Sequence, residues 1–274
     1  MKKAVACVLV IFLLSPSVFA VSLYEQWIAR ALEKRFTSPS ISYLLLDAHT
    51  GRVVASRWEE PGRPVALGSL VKPFTALAYG QRHEFKYPEF VCTGVAGGCW
   101  LPRGHGRIGM RQAIAFSCNA YFRALAAQVR AEDVSQVMRR FGIESQRGEP
   151  GAPALVGLGD DWRISPEQVA RGYCELASQS AEVGAIELIR GMALSAQAGT
   201  GSAVGRALAG AATLVKTGTA PCAHQGQAPG DGYVIALYPA ESPRLALLVR
   251  VHGAPGAQAA VVGGQMLRAA VDGK

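Results

Sequence analysis

Asparagine occurs once in this 274-residue sequence, at Asn119, and lysine seven times against 21 arginines. With arginine as the default cation, each interior lysine asks for a reason: a guanidinium keeps its proton in a protein, whereas a desolvated ammonium can lose it and act as a base. No apolar run reaches the roughly 20 residues needed to span a bilayer. The run AVACVLVIFLL, from Ala4 to Leu14, has only eleven. The formal net charge of +8 carries no lysine/arginine block interleaved with aromatics, so nucleic-acid binding gains little support. The same charge is compatible with anionic polymers or with substrates bearing carboxylates. No low-complexity linker and no internal repeat divides the chain.

Lys2 and Lys3, the short apolar run and then SPSVFA, with small Ala20 at the cut, read as an export signal over residues 1–20. The expected location is periplasmic or otherwise extracytoplasmic, with membrane association if the segment stays attached. Residues 21–274 suit one domain built from two interleaved lobes, a sheet lobe of 21–66 plus 206–274 and a helical lobe of 67–205.

Five cysteines follow the leader, an odd number. Cys92 and Cys99 flank TGVAGG, and in an oxidising compartment they are expected to close a small disulfide loop. With His105 they offer three metal ligands, but no fourth stands at a recognisable spacing, so neither a metal nor another cofactor is expected. The other cysteines read as buried thiols.

LYEQWIARALEKRF, residues 23–36, places Leu23, Trp27, Ala31 and Leu32 on one helix face. ISYLLLD and RVVASRW follow as strands joined through AHTG, a hairpin with Gly51 in the turn. From Ser69 to about Gly199 the pattern is mainly helical, with loops at TGVAGG, PRGHG and SQRGEPGAP. Strands return as ATLVKTGTA, GYVIALYPA and RLALLVRVH, and AQAAVVGGQMLRAAV closes the chain as a helix despite two glycines. Strands from both ends of the chain must then share one sheet, beside a large helical insertion. GTGSAVG, residues 199–205, lacks the preceding strand that a dinucleotide fingerprint needs, and reads as a glycine-rich connector.

Three short motifs fall on the walls of the cleft that this order creates. Ser69 and Lys72 in SLVK share a helix face, and Pro73, lacking an N–H, makes the start of that helix irregular. Ser117-Cys118-Asn119 holds the single asparagine. Lys216-Thr217-Gly218-Thr219 lies on an apolar strand, where period two puts Thr217 and Thr219 on one face and Gly218 lets a ligand lie against the backbone.

Together, in this order and on these elements, the motifs resemble the transpeptidase domain of penicillin-binding proteins, in the serine acyl-transferase superfamily that includes serine β-lactamases. LLDAHTGRVVA, GSLVKPFTALA, CWLPRGHGRIGMRQAIAFSCNAYF, ISPEQVARGYCELA and VKTGTA are similar to penicillin-binding protein sequence, so the likeness runs through nearly all of the chain after the leader. It implies an α/β (α+β) fold, an antiparallel sheet flanked by N- and C-terminal helices with a mainly helical insertion. It also implies a D,D-transpeptidase or carboxypeptidase acting on D-Ala-D-Ala termini of peptidoglycan stem peptides through an acyl-enzyme. In that scheme Ser69 is the nucleophile, Lys72 its base, Ser117 a proton relay oriented by Lys216, and Asn119 a hydrogen-bond partner of the substrate amide. Thr217, Gly218 and Thr219 bind the substrate end, and the N–H groups of Ser69 and Thr219 form the oxyanion hole. β-Lactams would acylate Ser69, and protein partners in cell-wall synthesis are implied.

The chain departs from larger relatives in showing no glycosyltransferase segment and little N-terminal extension, which leaves the acyl acceptor, amine or water, open. A serine β-lactamase, class D-like, is the nearest alternative, and a penicillin-binding accessory or sensor without turnover another. A β-lactamase is disfavoured because the E-x-x-L-N segment of class A enzymes is missing and Ser117-Cys118-Asn119 stands where class D enzymes favour S-x-V.

Overall fold

The computed structural model describes residues 23–144, 150–222 and 230–272, so the expected export segment and part of SQRGEPGAP lie outside the described residues. Helix α1 (Leu23–Arg35) leads into β1 (Ile41–Asp47), β2 (Val53–Arg57) and the short β3 (Val65–Ala66). The insertion then runs α2 (Lys72–Arg82), β4 (Phe90–Cys92), β5 (Gly106–Ile108), α3 (Met110–Ala115), α4 (Asn119–Ala126) and α5 (Ala131–Arg140). It continues with β6 (Arg163–Ile164), α6 (Pro166–Ser178), α7 (Ile186–Ala198) and α8 (Ser202–Ala207). The chain returns through β7 (Leu214–Ala220), β8 (Asp231–Tyr238), β9 (Leu245–His252) and α9 (Gly256–Asp272).

Five strands form an antiparallel sheet in the order β2-β1-β9-β8-β7, so both ends of the chain do share one sheet. ISYLLLD reads as an unbroken apolar run because both faces of β1 are covered. Tyr43 and Leu45 point into the core beneath α1 and α9, while Leu44 and Leu46 join the core of the insertion. Each such side chain contributes about 1.5–3 kcal/mol through burial. Gly51 turns the β1–β2 hairpin at a φ of 67°, as expected.

The glycines in α9 have a packing reason. A Cβ on Gly263 would stand 2.6 Å from Val234 Cγ1, and one on Gly264 would stand 2.9 Å from the Ala207 Cβ. The helix therefore lies directly on β8 and α8. Three details differ from the sequence reading. The buried face of α1 is Ile28 and Leu32, four residues apart, while Leu23 is 84% exposed. The connector at 199–205 begins a short helix, α8, and two small antiparallel pairs, β3–β6 and β4–β5, brace the insertion. Strands of two or three residues carry too little periodicity to be seen in sequence.

Candidate active site

Strand β7 is the edge of the sheet, and the 3₁₀ turn Gly68–Val71 at the head of α2 packs against it. The approach is close: a Cβ on Gly218 would meet the Leu67 carbonyl oxygen at 2.6 Å and the Ser69 nitrogen at 3.3 Å. Gly68, at a φ of 57°, lies against the Thr219 backbone, where a Cβ would come within 2.3 Å of the carbonyl oxygen. Glycine at both positions is thus what brings the Ser69 and Thr219 backbones together. The Lys72 N–H donates to the Ser69 carbonyl, and in a 3₁₀ turn the side chains at i and i+3 eclipse, so Ser69 and Lys72 share one side. Pro73 sits in the first turn of α2, where its missing N–H costs nothing.

Lys72 and Lys216 are both fully buried. The Lys72 ammonium donates to Asn119 Oδ1 at 2.6 Å, the Ser117 carbonyl at 2.9 Å and Ser117 Oγ at 3.3 Å. Lys216 Nζ reaches the same Ser117 Oγ at 2.9 Å and the Thr217 carbonyl at 2.7 Å. Burial lowers Lys72 from its ordinary 10.5 to about 7, with Cys118 and Cys99 opposing that fall and Arg123 adding to it. Burial, reinforced by the charge of Lys72, also holds Lys216 well below its ordinary value. Both shifts have the sign that desolvating a cation produces. A serine oxygen accepts two hydrogen bonds and donates one. With two lysine donors on Ser117 Oγ, its own proton is left to donate elsewhere.

Ser117 adopts a φ of 51°, which costs a non-glycine residue about 1–3 kcal/mol and persists only where its surroundings enforce it. Here its carbonyl accepts from both Lys72 and Trp100 Nε1, the latter at 3.2 Å. The Cys118 sulfur caps α4 by accepting the Tyr121 N–H, which fixes Asn119 as that helix's first residue.

Thr217 and Thr219 do alternate onto one face of β7. Thr217 is buried and its hydroxyl donates to Thr200 Oγ1 at 2.6 Å, while exposed Thr219 accepts the Gly256 N–H at 2.9 Å. Thr200 belongs to the glycine-rich connector and was not singled out from sequence. Its signal is the flanking pair Gly199 and Gly201, whose absent Cβ atoms let the turn sit on Ala115 and Val215. Tyr173 was also missed: its hydroxyl, buried in α6, bonds the Leu70 carbonyl at 2.8 Å and holds the turn that carries Ser69.

The expected Cys92–Cys99 disulfide is not formed. Both sulfurs instead face His105 Nδ1, at 3.5 and 3.6 Å, and Cys118 supplies a fourth soft donor beside them. Spacing alone could not reveal it, because Cys118 is brought in by the fold across the α3–α4 turn. A second group, Cys222, Asp231 and His252, lies at the other end of β7, with His252 Nδ1 2.7 Å from Asp231 Oδ1.

The family model described as penicillin binding protein transpeptidase domain matches residues 41–271. Among curated proteins, 67 residues are 34% identical to peptidoglycan D,D-transpeptidase MrdA of Acinetobacter baumannii, and the match spans 24% of this chain but only 10% of that relative. Among solved structures, Pseudomonas aeruginosa PBP2 in complex with WCK 5153 superposes with a TM-score of 0.75 at 18% identity, covering 90% of this chain and 74% of that one. The transpeptidase domain of Burkholderia pseudomallei penicillin-binding protein 3 gives 0.66 at 18% identity, covering 92% of each. With the matched region spanning the whole sheet and every element of the Ser69–Ser117–Lys216 seam, the chain belongs to the penicillin-binding protein transpeptidase domain family.

Proposed function

We propose that this protein is an exported serine D,D-transpeptidase or carboxypeptidase that acts on the D-Ala-D-Ala ends of peptidoglycan stem peptides. The observation that carries the reading is the pair of fully buried lysines sharing Ser117 Oγ, beside the turn that bears Ser69. Burying two ammonium groups is costly, and a lysine at about 7 is half neutral at physiological pH, which suits a base. Lys72 accepts the Ser69 proton as Oγ attacks the penultimate D-alanine carbonyl, and the oxyanion is met by the N–H groups of Ser69 and Thr219. Ser117, held by both lysines, passes a proton to the departing D-alanine nitrogen. The ester on Ser69 then goes to an amine or to water.

The unpaired side of β7 offers backbone groups to an extended peptide by strand addition, with Asn119 bonding the peptide amide and Thr217 and Thr219 close to its carboxylate. In this proposal the described residues of 21–66 and 206–274 form the sheet lobe of the site and those of 67–205 the helical lobe. The Helicobacter pylori PBP2 among the structural relatives is a complex with MreC, and a cell-wall partner is proposed here by analogy.

Incubation of the protein with a pentapeptide muropeptide and an amine acceptor, with products separated by mass, tests the reading. Crosslinked or trimmed product with released D-alanine is expected. No release, together with rapid hydrolysis of β-lactam, would make the protein a β-lactamase instead; stable β-lactam labelling without any release would make it a non-turnover binder.

A further inference from the structure

Cys92, Cys99, His105 and Cys118 bring their donor atoms within 4.8 Å of one another from three separate places in the chain: the end of β4, the loop before β5, and the cap of α4. Three of these residues are buried and His105 is half-buried. The distances can be compared with a definite geometry. A tetrahedral zinc ion with Zn–S of about 2.3 Å and Zn–N of about 2.0–2.1 Å has S···S edges of about 3.8 Å and S···N edges of about 3.5 Å. The structure shows 3.8 Å between the Cys99 and Cys118 sulfurs, and 3.5 and 3.6 Å from His105 Nδ1 to Cys92 and Cys99. A disulfide would require an S–S distance of about 2.05 Å.

The surroundings fix the ligands as metal sites require. The His105 ring lies between Phe116, stacked with centroids 5.6 Å apart, and Trp100, edge-on at 5.6 Å. The Cys118 sulfur accepts the Tyr121 N–H, a bond that a metal thiolate can keep.

From this we infer that the four residues form a structural zinc site of Cys₃His type. Three thiolates and one imidazole in tetrahedral array select zinc over hard cations, and four protein ligands leave no open position for catalysis. The ion ties β4 and its following loop to Cys118, the residue between Ser117 and Asn119, and so braces the segment that carries both. It forms no part of the acyl-transfer chemistry, so its presence can be read without reference to activity.

The test uses the full chain purified without chelators. Metal analysis by mass spectrometry is expected to find about one zinc per chain. Cys99→Ser is expected to weaken binding, in competition with a chromophoric chelator, by more than the 10- to 100-fold that loss of an outer-sphere partner costs. Cys174→Ser and His252→Ala are expected to keep the metal. Should Cys99→Ser fail to fold, cobalt(II) titration of the unaltered protein stands in for it, with a saturable sulfur-to-cobalt charge-transfer band and a tetrahedral spectrum at one equivalent as the expected result. Zinc retained in Cys99→Ser but lost in His252→Ala would move the site to the Cys222 cluster and overturn the inference. Absence of zinc with no cobalt–thiolate band would overturn it as well.

Discussion

Two regions packed against the central sheet bury different chemistry. Beneath α1 and α9, Val234, Ala236, Leu247 and Val249 meet Ala260, Met266 and Leu267, an apolar layer in which any side chain of similar shape would serve. Along the seam between β7 and the insertion, Lys72, Lys216 and Ser117 are buried as well. The first layer can only lower the free energy of the fold. The second raises it, since each buried ammonium must lose its hydration, and the four hydroxyl, amide and carbonyl partners of the lysines return only part of that cost. A protein keeps such an arrangement for what it does, and the contrast makes the functions of the two regions separable by mutation.

The largest expected effect is at the seam. Ser69→Ala should abolish covalent labelling by a fluorescent penicillin with little change in melting temperature, since only the proposed nucleophile is lost. Undiminished labelling of that variant would move the nucleophile elsewhere. Lys72→Arg should cost acylation about 10²–10⁴-fold, nearly as much as Lys72→Ala, because on the proposed mechanism it keeps the charge and loses the base. Stopped-flow acylation rates decide this, and a near-normal arginine variant would reduce Lys72 to an electrostatic role. Across the sheet, Leu247→Ala should destabilise the fold by about 2–5 kcal/mol in denaturant titration while the folded fraction acylates at the normal rate. A comparable fall in acylation rate would show that the two regions are coupled. Smallest is Thr200→Val, which removes the hydroxyl partner of Thr217 and should change acylation by a factor corresponding to about 0.5–1.5 kcal/mol.

The same contrast explains what could be read from sequence. The sheet was legible because β1, β7, β8 and β9 are apolar runs of seven or eight residues bounded by turn residues. The motif residues were legible because rare types mark them: the single asparagine, and lysines among arginines. What was hidden depends on contacts between distant segments. Thr200 matters only because its turn packs on β7, and Cys118 joins Cys92, Cys99 and His105 only once α4 is docked beside β4. Cys92 and Cys99 were expected to pair because they are neighbours in sequence, but the fold turns both sulfurs toward His105. The face of α1 was misread because Leu23 suits the helical period, yet it extends past the sheet that Ile28 and Leu32 cover.

The central claim is that burial lowers Lys72 so that it can take the Ser69 proton, and the pH dependence of acylation tests it most directly. Below about 7 the lysine is protonated in the folded protein and above it neutral, so a base role makes the rate fall as pH falls. Acylation by a single β-lactam, followed by stopped flow from pH 5.5 to 9, should level off above about 7 and drop about tenfold per unit well below it. A rate that stays flat through that range, with the protein folded throughout, would contradict the account.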